Sequence, residues 1–445
     1  MKIAVIGSGI AGSSAAWALG KTNQVTLYEK RDRLGGHSAT VDVVSKGQSI
    51  PVDTGFIVYN ELNYPLLTKL FDYLQVETQR SKMTFSVSLE DGKLEWCGSK
   101  LRGVFAQPSN LLSPGFLRML RDIFRFNKRA RMDLQSGALC GLTLNDYLHK
   151  AGFSKRLKND YLVPMTSAIW STPSTKMLEF PAESLIRFMK NHALIQKDRP
   201  RWRTVTGGSR EYVKALSADT EANVKTGCGV TSVKRTALGV EVLDANGNRD
   251  TYDQVIMACH SDQAIGMLDN ASEQEREILG SIRYIDNDVW LHQDPALMPK
   301  RRNAWASWNY LGSKSVEDQR DVSVTYWMNQ LQSIDNDHPL FVTLNPLKEP
   351  QSELVHNRFQ YSHPLFDSAA IKAQERLHEI QGKDGIWFCG AWCGYGFHED
   401  GLRSGLDVAK ALGCSLPWEH DASTSSLHRP ANTEYDNKLL VDAAE

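Results

Sequence analysis

Apolar and polar positions first organise the chain at its N-terminus. Residues 2–29 run as a β-branched stretch (Lys2–Ile6), a glycine-rich turn, an Ala-rich segment and a second apolar stretch closing on Glu29. That order predicts a βαβ unit. Residues 224–242 and 253–260 alternate as strands do. Residues 386–411 predict a short strand, a loop crowded with glycine and aromatics, then a helix. Ser113-Pro114 opens another helix by the N-cap and N1 preferences. At ~100° per residue, Phe116, Leu117, Leu120, Ile123 and Phe124 fall to one side of it and Arg118, Arg121, Arg125, Lys128 and Arg129 to the other. After Leu416 the pattern turns polar, as expected of a surface-draped or disordered tail over 416–445.

Composition narrows the class. A chain of 445 residues exceeds a single small module and suggests two or three domains. With 41% apolar and 23% charged residues it is globular rather than fibrous or wholly disordered. Lys plus Arg number 51 against 52 Asp plus Glu, so the net charge of −1 gives no global attraction to nucleic acid or an anionic membrane. No apolar run approaches the ~18 residues of a membrane span. The chain starts at once on a strand-like segment, so neither signal peptide nor anchor is expected. Cys97, Cys140, Cys228, Cys259, Cys389, Cys393 and Cys414 are odd in number and scattered, which favours a reducing cytoplasm over a disulfide framework.

The glycines of the first turn carry chemistry. In a Gly-x-Gly-x-x-Gly turn, Gly7 permits the bend, Gly9 lets the backbone approach a pyrophosphate and Gly12 lets helix and strand pack closely. The N–H groups around Ile10 and Ala11, at the helix start, then face the phosphates. Glu29 lies about 20 residues on, where a carboxylate accepts from ribose hydroxyls and disfavours a 2′-phosphate. The motif alone leaves FAD and NAD(P) open, and an NAD(P) dehydrogenase is one rival.

Beyond Glu29 come Arg33-Leu34-Gly35-Gly36-His37 and Val52-Asp53-Thr54-Gly55-Phe56. With these the chain resembles the flavin amine oxidase and phytoene desaturase superfamily, whose members follow the ribose acid with an Arg-x-Gly-Gly turn. The resemblance implies an α/β protein with a Rossmann-like FAD-binding domain and an inserted α+β substrate domain. It places Gly35, Gly36, His37 and Ser38 against the pyrophosphate and ribityl chain, and Thr54, Gly55, Phe56 and Ile57 near the flavin. The family often has Arg where His37 stands, so Arg33 or Lys30 is expected to supply the charge. The segment Ile386 to Ala411 resembles the family's return to the FAD site, with Gly390 as the strand-end glycine and Gly401 and Leu402 at the helix start. Ala391 stands where many flavoproteins carry an acid. By position Val230 is the valine that meets the adenine side through its backbone, and Gly207-Gly208-Ser209 resembles the entry into the returning half. The implied FAD domain is discontinuous, 1–60, 200–270 and 380–415, and 61–199 with 271–379 form the substrate domain.

The middle of the chain is rich in aromatics. Trp170, Trp290, Trp305, Trp308, Tyr310, Tyr326 and Trp327 are expected in a sheet and lid over the flavin, each of them a candidate core residue. Trp392 and Tyr395 are candidates for the two facing aromatics that amine oxidases use to orient substrate, and ordinary packing is the alternative. His398 is placed to relay a proton or to serve as a buried structural histidine. Glu399 and Asp400 suit either a helix cap or a chemical role. His292-x-Asp294 and His260-x-Asp262 lack companion ligands, so no metal is expected. Cys393 is read as a free thiol rather than a flavin attachment.

The expectation for function is an FAD-dependent oxidoreductase taking a hydride from a C–H bond of a hydrophobic substrate, with lipid or acyl-chain oxidation favoured. The alternatives are an amine oxidase acting on a small amine, and a redox-silent flavin-binding isomerase or lipid-escort protein. The segment 100–131 holds eight Lys or Arg and one acid, Asp122. Within it the helix that opens on Pro114 and continues to Arg131 is a candidate for peripheral membrane contact, against the alternative of a solvated basic face. A nucleic-acid partner is not expected, because no recognition motif accompanies the charge.

Overall fold

The N-terminal strand Lys2–Ile6 occupies the middle of a five-stranded parallel sheet ordered 223–225, 24–28, 2–6, 254–257, 386–388. Its Ile3, Ala4 and Val5 are fully buried, as a parallel strand covered on both faces requires. The computed structural model describes residues 1–170, 174–195, 200–313 and 321–420. The sheet draws on three stretches of sequence separated by almost two hundred and then more than one hundred residues. The Ala-rich helix Ile10–Gly20 follows the first turn, and the helix His398–Ala411 packs against it. A Cβ on Gly405 would lie 2.1 Å from the Ala11 carbonyl oxygen, so this helix crossing admits only glycine there.

A seven-stranded sheet forms the second layer, in the order 355–365, 283–292, 341–344, 322–327, 308–312, 85–89, 94–97. It is antiparallel except where Trp308–Gly312 runs parallel to Phe85–Leu89. Trp290, Trp308, Tyr310, Tyr326 and Trp327 lie on its strands, and Trp305 packs edge-on against Trp327 at 5.3 Å. A helical layer joins it, built from Pro114–Gln135, Leu144–Lys150, Val163–Trp170 and Ala182–Asn191 around Phe126, Tyr147, Trp170 and Phe188. Residues Met1–Cys414 form one compact unit holding both sheets. Ser415–Glu445 form a second unit, described as far as residue 420 and containing the helical turn Pro417–His420. The expected tail therefore lies mostly outside the described residues. Among the described residues no helix is long and apolar enough to cross a membrane.

The helix Pro114–Gln135 starts as its sequence requires, with the Ser113 hydroxyl accepting from the Phe116 N–H at 3.3 Å. Its faces differ from the sequence expectation. The buried stripe is Phe116, Met119, Phe126 and Ala130, with Leu120 and Ile123 at its border, while Leu117 and Phe124 stand exposed among the arginines. Leu117 and Phe124 are one heptad apart, ~100° or more around the helix from that stripe. The apolar arc is wider than the surface the protein offers it.

Candidate active site

The first turn is closed by its own backbone. Gly7 donates to the Tyr28 carbonyl at 2.8 Å, and a Cβ on Gly12 would lie 1.9 Å from the Gly7 carbonyl oxygen. Gly9 is the opposite case: its backbone is extended, and a Cβ there would meet nothing within 4 Å. Ile10 and Ala11 form the first helical turn, whose N–H groups have no acceptor within the helix. Glu29 is buried beside them. Its Oε2 accepts from the Ser8 N–H (3.0 Å) and hydroxyl (2.5 Å), and its Oε1 from the Arg31 N–H (2.9 Å). Each carboxylate oxygen has two lone pairs, so acceptor capacity remains for ribose hydroxyls.

The second glycine pair abuts the first turn. Gly35 donates to the Ser8 carbonyl at 3.0 Å, and Gly36 lies against Gly9. Arg33 donates to the Gly36 carbonyl at 3.0 Å and reaches those of Leu34 and Ser38, which fixes its positive charge beside the second glycine pair. Lys30 is exposed, its stem beside Gly229 and one residue from Val230, which begins the strand Val230–Thr236. The His37 ring instead sits between Tyr361 (5.2 Å), His363 (5.7 Å) and His260 (6.2 Å). Burial and the nearby His260 push His37 down to about 4, so the imidazole is neutral at pH 7. Its Nε2 is buried without a partner.

Three expected residues from three separate stretches converge. Ser38, Phe56 and His398 meet around Tyr212, which the sequence reading missed. The Tyr212 hydroxyl lies 2.5 Å from the Ser38 Oγ and 2.7 Å from the His398 Nε2, and Ser38 Oγ is 3.0 Å from the same nitrogen. The His398 ring stacks on Phe56 at 3.8 Å with planes 9° apart. Burial lowers His398 to about 3, so it is a neutral group shared between two hydroxyls. The preceding strand end is fixed by the same logic: Thr54 donates to the Ala39 carbonyl and contacts the Tyr361 hydroxyl at 2.7 Å, Gly55 lies against the His37 carbonyl, and the Ile57 carbonyl accepts from Thr204.

Trp392 and Tyr395 do not face one another. The Trp392 indole N–H donates to the Cys259 carbonyl at 2.9 Å, and the ring is buried in the core of the parallel-sheet region. Tyr395 packs on the helical layer, 5.6 Å from Phe188, and its carbonyl accepts from the Trp170 indole at 3.2 Å. Three residues apart on a turn, the two rings are drawn into different cores. Both acids of the loop hold backbone. Asp400 accepts from the Tyr395 and Phe397 N–H groups at 3.1 and 2.9 Å. Glu399 accepts from Leu66 and Leu67 at 2.9 and 3.0 Å, capping a helix (Pro65–Tyr73) more than three hundred residues away in sequence. Burial raises them to about 6 and about 7 respectively. Gly390 donates to the Ser404 hydroxyl, Gly401 lies against Ile10, and Leu402 is fully buried.

Asp53 is a second residue that sequence reasoning left without a role. It accepts from Thr40 Oγ1 (2.6 Å), from the N–H (2.8 Å) and hydroxyl (2.8 Å) of Ser209, and from Gln332 Nε2 (3.0 Å). It thus ties the Thr40–Ser45 strand, the Gly207-Gly208-Ser209 turn and the substrate region immediately before Thr54. Its burial raises it to about 6. A lone acid before Thr-Gly, next to a distant Gly-Gly-Ser, was the available signal.

Two observations suit a dinucleotide. The space beside Gly9 at the bare helix start is open to a pyrophosphate, and the orphaned His37 Nε2 lies just past the glycine pair that abuts it. Residues 10–286, more than half of the chain, match the family model of the flavin containing amine oxidoreductases. The chain belongs to that family. It is an FAD-dependent oxidoreductase, and Gly7 to Gly12, Glu29, Gly35 to Ser38 and the start of the 398–411 helix are the residues that would hold the cofactor. Solved structures of similar fold include a double mutant of putrescine oxidase (16% identical, covering 92% of this chain and 98% of that one, TM-score 0.65). A fatty acid isomerase from P. acnes that produces CLA (15%, 92% and 98%, 0.64) and the cyclohexylamine oxidase of Brevibacterium oxydans (15%, 92% and 98%, 0.62) are others. At these identities they show the flavoenzyme's fold alone. No curated protein matches the sequence. Among the described residues no group of three or more His, Cys, Asp or Glu is arranged to hold a metal.

Proposed function

We propose that this flavoenzyme oxidises a C–H bond of a hydrophobic, acyl-chain-like substrate rather than of a small amine. The observation that carries the reading is the state of the return loop. An ammonium substrate calls for a free carboxylate or a pair of facing aromatic walls. Here Glu399 and Asp400 are both committed to backbone N–H groups, and Trp392 is withdrawn into the core. Beside the loop, next to the Tyr395 contact, Trp170, Met177, Phe180, Leu365 and Phe366 line a small crevice together with Lys176, Glu179 and Asp367. These three charged residues are ion-paired, Lys176 with Glu179 and Asp367 with Arg283, so none of them is a free carboxylate for an ammonium group. The similar folds include oxidases named for amines and an isomerase named for a fatty acid, so the fold itself does not choose.

Bound FAD supplies the two-electron acceptor for such a step. The chain's part is to position and to exclude water. Burial keeps the His398 imidazole neutral, and the Tyr212 and Ser38 hydroxyls position it stacked on Phe56, so that this ring brings no charge to the wall. The test is anaerobic reduction of the oxidised holoenzyme by saturated and unsaturated acyl chains and, in parallel, by primary and secondary amines. Bleaching by an acyl substrate with its dehydrogenated product supports the proposal. Bleaching by amines alone, or conversion of an acyl chain to an isomer with the flavin oxidised throughout, overturns it.

A further inference from the structure

Among the described residues, twelve large hydrophobic side chains are exposed, and six of them, Leu101, Leu111, Leu112, Leu117, Phe124 and Met132, fall within residues 101–132. That segment is less than a tenth of the chain. Isolated exposed apolar residues are ordinary, but a concentration of them marks an interaction site. Phe124 is 76% exposed and Leu112 87%.

The helix Pro114–Gln135 explains how they are displayed. Its buried stripe, Phe116, Met119, Phe126 and Ala130, already anchors it in the fold, so the outer face is not needed for folding. Along that outer face Leu117, Arg121, Phe124, Lys128 and Met132 succeed one another at three- and four-residue steps, a single line on a helix. Leu111 and Leu112 continue the apolar material past the helix N-terminus.

The charge on the same face is uncompensated. Both acids of the helix are occupied: Asp122 is buried, accepts from the Ser154 N–H and pairs with Arg125, and Asp133 pairs with Arg129 and accepts from Tyr147. Arg118, Arg121 and Lys128 have no ion pair among the described residues.

We propose that this face docks the enzyme on an anionic lipid bilayer, with Leu112, Leu117 and Phe124 entering the interface and Arg121 and Lys128 meeting lipid phosphates. Apolar and cationic residues on one exposed line suit a boundary that is hydrocarbon on one side and anionic on the other. A nucleic acid would use the cations and leave Phe124 and Leu112 in water. The proposal does not rest on the substrate being a lipid.

The test is cosedimentation of the full, FAD-loaded chain with vesicles of phosphatidylcholine alone and with phosphatidylglycerol added. Binding to the anionic vesicles is expected to be at least about tenfold tighter and to weaken with salt. A Leu112→Asp/Phe124→Asp variant should lose about tenfold or more at any salt with unchanged flavin content and melting temperature, since both side chains are exposed. Arg121→Glu/Lys128→Glu should erase the preference for the anionic vesicles. The proposal is overturned if the unmodified protein does not sediment with phosphatidylglycerol vesicles or if both variants bind as well as it does. It is equally overturned if the protein is a dimer in solution that Leu112→Asp/Phe124→Asp converts to monomer.

Discussion

The cofactor wall and the helical layer beside it are held together by different physics. In the wall backbone meets backbone, and at Gly7, Gly12, Gly35 and Gly55 the residue type is imposed by carbonyl oxygens 1.9–2.9 Å from where a Cβ would stand. In the layer of residues 101–195, Phe126, Trp170 and Phe188 fill volume, which many combinations of apolar residues can do. The first kind of constraint leaves a motif in the sequence and the second leaves only a hydrophobic pattern. The cofactor could therefore be inferred from residues, and the shape of the substrate region could not.

The sharpest way to break this contrast is a pair of substitutions within one turn. Gly12→Ala drives a Cβ onto the Gly7 carbonyl and should cost about 3 kcal/mol or more of stability by urea titration, with or without flavin. Gly9→Val faces open space, so the flavin-free protein should unfold within ~0.5 kcal/mol of the parent. Its FAD affinity should nevertheless fall by about 100-fold, since the added atoms fill the place left for the pyrophosphate. Equal destabilisation by both changes would show that Gly9 serves the fold and not the cofactor.

Acid should separate the regions next. Burial holds His37 and His260 near 4 and His363 near 3, against an ordinary value of 6.5. A folded value below the unfolded one contributes stability that is complete above pH 6.5 and is lost as pH falls through 6.5 toward 4. At pH 5 each of these histidines should cost on the order of 1–2 kcal/mol. Asp53, Glu399 and Asp400 act in the opposite sense, their contribution present near pH 4 and lost as pH rises through 6 to 7. His192, His292 and His398 add to the first group, so unfolding titrations should show net loss on going from pH 7 to 5. A gain in stability over that interval would mean the carboxylates dominate.

The smallest expected effect is at the convergence point. Tyr212→Phe removes the hydroxyl shared by Ser38 and His398 and should cost ~1 kcal/mol. It should also shift the pH profile of flavin reduction upward as His398 loses a partner for its neutral form, whereas a purely structural hydroxyl would leave that profile in place.

Which parts of the site were legible follows from this contrast. Gly7, Gly9, Gly12, Glu29, Gly35 and Gly36 stand in one local order, and residues 386–411 repeat the logic at the far end of the chain. The roles of Tyr212 and Gly405 were not found, because their partners lie more than 150 residues away and nothing local marks them, and that of Asp53 was missed because only Thr40 among its partners is near in sequence. Trp392 and Tyr395 look alike in sequence, but tertiary packing sends one ring into the nucleotide core and the other to the helices. Leu117 and Phe124 were grouped with Phe116, Leu120 and Ile123 because periodicity reports an apolar arc and not how much of it the protein covers.

The most direct test of the account is the visible spectrum of the purified protein together with an FAD titration of its flavin-free form, run beside Gly9→Val. The account predicts bound oxidised flavin at one FAD per chain in the parent, and a folded but colourless Gly9→Val. A parent that is colourless and takes up no FAD on reconstitution, or a Gly9→Val protein that keeps its full complement, would contradict it.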